Sequence, residues 1–148
     1  MITSSLSRLL HLCQIIPGKL SEISDEEFAT KPDPAAWSKK EILGHLIDSA
    51  THNHHRFVRT QFEYIPKISY DGDQWVNHSR YQSMSTDHLI RFWETYNRHI
   101  AEVVRLIPEE MLERTCDSGD PEMRTLGWLI EDYVVHLEHH LHQLVEYV

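Results

Sequence analysis

Apolar residues recur every three or four positions along four long stretches of this 148-residue chain, and that spacing restricts it to a bundle of helices. The first stretch, about residues 4–23, carries Leu6, Leu9, Cys13, Ile16, Leu20 and Ile23. Pro17-Gly18 is expected to kink it. The second starts at Ser38, where Ser38 and Glu41 have the spacing of a capping box, and reaches to about Tyr64, before Pro66. The third runs from Ser85 or Thr86 through Leu89, Trp93, Tyr96, Ile100, Val103 and Ile107, and Pro108 closes it. The fourth opens near Thr125 and carries Leu126, Ile130, Tyr133, Leu137, His140, Leu144 and Tyr147 to the end of the chain. No alternating strand pattern competes. The expected fold is an all-α four-helix bundle forming a single domain over residues 1–148.

Two features modify this outline. Between the second and third helices lies "PKISYDGDQWVNHSRYQSMS", read as a loop long enough to be functional or mobile. "LGHLID" (Leu43 to Asp48) is echoed by "LGWLIE" (Leu126 to Glu131), and the preceding turns, "ISDEEF" and "LIPEEM", are also alike. Two related helical hairpins would explain the echo.

Charge and cysteine content narrow the function. A formal net charge of −9 with no Lys/Arg block repels a phosphate backbone, so no nucleic-acid partner is expected. The N-terminal stretch is a poor signal peptide, and no segment approaches a membrane span. Two cysteines, Cys13 and Cys116, make neither a disulfide framework nor a thiolate zinc cluster, and a reducing cytoplasmic setting is the default.

Histidine is the unusual residue, with 12 in the chain and four within "HLEHHLH". Leu141 interrupts that run and the helical register continues beyond it, so it reads as native sequence rather than a purification tag. His136 and His140 are one turn apart and stack on one face about 5–6 Å from each other, within reach of a single ion. His139 is rotated about 60° from His136, and His142 projects away. A third ligand must come from another helix, and His45 is the best placed, on a face carrying Asp48, Ser49 and His52. His52 lies about 10.5 Å further along the axis, too far to share the ion, and reads as a substrate-pocket or surface residue. His54 and His55 are assigned to solvent or helix contact. Each of these histidines also has a plain structural reading: His140 as a buried imidazole in an apolar stripe, His45 as an interior residue bonded to Asp48. Asp71-Gly72-Asp73 is not a calcium loop, because Trp75 stands where a further oxygen ligand is needed.

Three stretches together resemble the DinB/YfiT-like family of metal-binding four-helix bundles: "WSKKEILGHLIDSATHNHHRF", "YDGDQW" and "TLGWLIEDYVVHLEHHLHQL". The resemblance implies a divalent ion, nickel or zinc, held by one histidine of the second helix and two of the fourth. These fall on His45, His136 and His140, the set that geometry favours. It also implies a homodimer, and S-transfer from a low-molecular-weight thiol of the bacillithiol kind. Other members are described as metal-dependent hydrolases.

Three neutral histidines would leave the ion open positions for a small-molecule substrate. A His-Glu-x-x-His hydrolase has its base next to the first histidine. Leu137 occupies that place, and Glu138 is about 200° round from His136. The missing carboxylate favours thiol transfer, in which the ion itself activates the nucleophile. Asp48 is a possible base, or the acceptor that orients His45. Tyr70, Asp73 and Trp75 are expected to close over the metal, and Arg56 to contact an anionic thiol. Three further readings stay open: a metal-dependent hydrolase, a non-catalytic metal-binding or stress-response protein, and a pH sensor.

Overall fold

Ser38 shows how this chain starts its helices. Its hydroxyl accepts the Glu41 backbone N–H, and the Glu41 carboxylate accepts the Ser38 N–H, completing the capping box. The computed structural model describes residues 2–148. Its four long helices are α1 (Ile2–Ser21), α3 (Lys39–Arg59), α5 (Thr86–Arg105) and α6 (Leu126–Leu141). Ser85 and Thr125 cap α5 and α6 by the same hydroxyl-to-N–H bond. Two short helices join them: α2 (Asp25–Ala29), which buries Phe28, and α4 (Gly72–Ser79).

The four long helices close one core. Leu12, Ile16 and Leu20 of α1 meet Leu43, Leu46 and Phe57 of α3, Trp93 and Ile100 of α5, and Leu126 and Leu137 of α6. A buried polar pair crosses it, the Tyr133 hydroxyl donating to Asn97 Oδ1 at 2.6 Å. The main interfaces pair α1 with α5 and α6, and α3 with α5 and α6. Helices consecutive in the chain, α1 with α3 and α5 with α6, therefore sit across the bundle from each other. They are not packed hairpins, so the "LGHLID"/"LGWLIE" echo does not mark adjacent helix pairs. The α3–α6 interface is the one that matters for the site.

Four expectations are corrected. The segment after α3 is not one long loop: Asp71 caps α4, and a 3₁₀ turn follows at Tyr81–Ser83. Helix α3 ends at Arg59 rather than near Tyr64, because Arg114 reaches across to the carbonyls of Thr60 and Glu63. A two-residue antiparallel pair, β1 (Thr115–Cys116) with β2 (Arg124–Thr125), leads into α6, and Lys67 bridges to Asp117 beside it. Helix α6 ends at Leu141, not at the terminus. The chain then tightens into a turn that buries Leu144 and stacks Tyr147 on His142 at 4.2 Å. The Tyr147 hydroxyl reaches back to Glu138, which also holds Arg8 of α1. No described helix is long and apolar enough to cross a membrane.

Candidate metal centre

Helical periodicity supplies two of the three rings and the bundle supplies the third. His136 and His140 lie one turn apart on α6, their ring centroids separated by 4.7 Å. Packing of α3 on α6 brings His45 to 4.8 Å from His140 and 5.5 Å from His136. One nitrogen from each ring lies within 4.8 Å of the others. Zn–N bonds of about 2.1 Å place tetrahedral ligand nitrogens roughly 3.4 Å apart, so small ring rotations would seat all three on one ion.

The state of each nitrogen suits a cation. His45 is buried, and its Nδ1 has no hydrogen-bond partner. An unpaired buried imidazole nitrogen is costly, and a bound ion would remove that cost. His140 is oriented from three residues on: its Nδ1 meets Gln143 Oε1 at 2.9 Å, so Nδ1–H donates and Nε2 keeps its lone pair. Trp37 lies against His45 with ring centroids 4.9 Å apart. Gly72, at the start of α4, covers the other edge, where even a Cβ would come 3.5 Å from His45 Cε1. Burial, then the neighbouring imidazoles, push His45 and His136 down to about 4. Both are therefore neutral at pH 7, the form that ligates a metal.

Asp48, one turn beyond His45, is buried, and burial raises its carboxyl to about 6 against the lowering effect of a bond from Tyr81. It does not orient His45. Its Oδ1 accepts the Tyr81 hydroxyl, while Asp48 Oδ2 and His45 Nδ1 both lack partners.

The remaining sequence candidates fall in three places. His52, Tyr70 and Trp75 come together: His52 stacks on Tyr70 at 3.8 Å and meets the edge of Trp75 at 4.3 Å. His52 Nδ1 donates to the Asp48 carbonyl at 2.8 Å, which fixes its ring. These aromatics form a wall one turn beyond Asp48 on α3. Asp73 stands apart from them, lining a groove of about 370 Å³ with Ala36, Trp37, Ile42, His140 and Gln143. Arg56 is committed to the backbone, with Nε on Ile68 O at 3.1 Å and Nη2 on Ser118 O at 3.4 Å. Its side chain pins two loops together, and its charge lies close enough to His52, Tyr70 and His136 to act on them.

Sequence reasoning missed the roles of Trp37, Gln143 and Tyr81. Gln143 was detectable, since it follows His140 by the three residues that put two helical side chains in contact. Tyr81 had a fainter signal. Gly44 is out of place in the middle of a capped helix, and a Cβ there would overlap the Tyr81 ring.

Comparison with known proteins agrees with this architecture. The chain matches the family model of the DinB superfamily over residues 8–144. It resembles the solved structure of YfiT from Bacillus subtilis, described as a probable metal-dependent hydrolase with an unusual four-helix bundle topology. The TM-score is 0.79 at 20% identity, over 94% of this chain and 83% of that one. A DinB-like protein of Bacillus subtilis, YjoA, aligns with TM-score 0.66 at 18% identity, over 95% and 86% of the two chains. At such identities the likeness establishes the fold. No curated protein matches. With the family model spanning nearly its whole length, the chain belongs to the DinB superfamily.

Proposed function

We propose that this protein is a divalent-metal-dependent enzyme acting on small molecules, with His45, His136 and His140 as ligands and thiol S-transfer as its reaction. The observation that carries the reading is the convergence of three imidazoles with no carboxylate among them. Nitrogen donors of this kind suit nickel or zinc, and three neutral ligands leave open positions. When bound, such an ion would acidify a coordinated thiol or water and so supply a nucleophile at neutral pH.

The chain's own residues favour the thiol. Leu137 fills the place of a His-Glu-x-x-His base and is buried in the core. Glu138 is turned away to Arg8 and Tyr147. A thiol gives up its proton far more easily than water does, so it needs no strong dedicated base. In the transfer, the thiol proton passes to Asp48 Oδ2 or to solvent. A sulfur–carbon bond forms to the electrophile, and the leaving group departs with its electron pair. A bacillithiol-like thiol is the co-substrate, the groove at His140 and Asp73 is its approach, and the wall of His52, Tyr70 and Trp75 receives the electrophile. The homodimer expected from the family would not alter this chemistry.

Hydrolysis is the second reading, and Asp48 is the observation in its favour. A buried carboxyl held near neutrality with one unengaged oxygen is a reasonable base for water. The description of YfiT as a probable metal-dependent hydrolase leans the same way.

Metal analysis of purified wild type and His140→Ala begins the test, with one ion per chain expected in the first and little in the second. Ion-dependent conjugation of a low-molecular-weight thiol to a test electrophile supports transfer. Ester or amide cleavage without added thiol would replace transfer with hydrolysis. A bound ion with neither activity would leave a metal-binding or stress-response protein.

A further inference from the structure

Asp48 is buried on α3, one turn past His45, with no ion pair to Lys or Arg among the described residues. Its two oxygens are in different situations. Oδ1 accepts the Tyr81 hydroxyl, whereas Oδ2 is fully enclosed and has no partner. An unpaired buried carboxylate oxygen is expensive, and a fold keeps one where something must use it.

The fold makes specific provision for the Tyr81 bond. Tyr81 sits in the 3₁₀ turn after α4 and is 5% exposed. Its ring lies flat against the α3 backbone at Gly44, in space that any side chain at position 44 would fill. Glycine inside a helix is less favourable than alanine, and the close approach of Tyr81 is what its presence permits. Arg80, just before the ring, adopts the left-handed backbone (φ 59°) that turns the chain from α4 into the tight 3₁₀ turn.

We infer that Tyr81, admitted by Gly44, is a positioning residue that occupies one oxygen of Asp48 and leaves the other as the proton acceptor of the site. The inference rests on the metal-dependent reading for the identity of the proton donor, the thiol or water. The proton moves from that donor to Asp48 Oδ2, giving a neutral carboxylic acid whose Oδ1 still accepts from Tyr81. Asp48 then returns the proton to the leaving group or to solvent. Tyr81 favours the ionised, receptive form of Asp48, because its O–H bonds more strongly to a carboxylate than to a carboxylic acid. The titratable groups against Asp48 are His52 on its own helix, Tyr81, and Tyr70 from the segment before α4, with His45 one turn back along α3. His136 and His140 of α6 lie beyond His45.

The test uses Tyr81→Phe, which keeps the ring and removes only the hydroxyl, with Gly44→Ala as a second route to the same loss. The metal-loaded proteins are compared by the pH profile of kcat/KM, and Asp48 itself is followed by the infrared band of its protonated carboxyl, identified by its absence in Asp48→Asn. The acid limb of the profile and the carboxyl titration should both move up by about one to two pH units in Tyr81→Phe, with metal content unchanged. Asp48→Asn should lose about 10²–10⁴-fold in rate. If wild type is active and neither the limb nor the band moves in Tyr81→Phe, the inference is overturned while the proposed function stands. If wild type shows no metal-dependent turnover, the proposed function fails, and the band still decides whether Tyr81 governs the protonation of Asp48.

Discussion

Whether an imidazole serves a metal depends on which of its nitrogens is already occupied. Gln143 settles that for His140, and Gln143→Ala should weaken metal affinity about 10–100-fold without removing a ligand, measurable by competition with a chromophoric chelator. Protonation sets the pH range of the site. His45 and His136 titrate near 6.5 when unfolded and near 4 when folded. Between those values the unfolded chain binds up to two extra protons, so the metal-free protein loses stability as pH falls through that window. Asp48 opposes this with one proton, since its folded value of about 6 stands above 3.8. Two outweigh one, so the Tm of the metal-free protein should decline from pH 6.5 to 4.5, and Asp48→Asn should steepen the decline. A flat or rising Tm would contradict the burial assigned to these rings.

At the scale of helices, the sequence was legible where local chemistry acts alone. Ser38, Ser85 and Thr125 begin helices because each hydroxyl caps an N–H within its own turn, and all three starts were readable. The ends were less so. Helix α3 stops short of Tyr64 because Arg114, more than fifty residues later, captures the carbonyls of Thr60 and Glu63 just past its end. Helix α4 escaped notice because Val76 is its one buried residue, too little for a periodic stripe. The backbone bonds of Arg56 were hidden for a similar reason, since its partners Ile68 and Ser118 lie in loops whose proximity no spacing rule gives. Arg56→Ala should therefore cost about 1–3 kcal/mol in urea unfolding. An unchanged unfolding midpoint with a raised KM for the thiol would return Arg56 to ligand binding.

For the molecule as a whole, the site depends on one interface. The spacing of His136 and His140 was written along a single helix, but their distance from His45 follows from α3 packing beside α6 rather than across from it. The polar face of Asp48, Ser49 and His52 marked His45 as a candidate, and the family resemblance pointed to the same residue, but periodicity alone did not set α3 beside α6. A divalent ion joining the two helices would bind only the folded protein, so such a cation at about 100 times its Kd should add roughly 2.7 kcal/mol and raise Tm by several degrees. A chelator should reverse the shift, and His45→Ala should abolish it. The segment after α6 bears on the same balance. Leu144 is sunk in the core and Tyr147 is folded onto His142 and Glu138, so the residues on either side of Gln143 are anchored where it bonds His140. The final six residues thus act as a splint: trimming them, or fusing a bulky partner there, would let the ion leak away though every ligand remained.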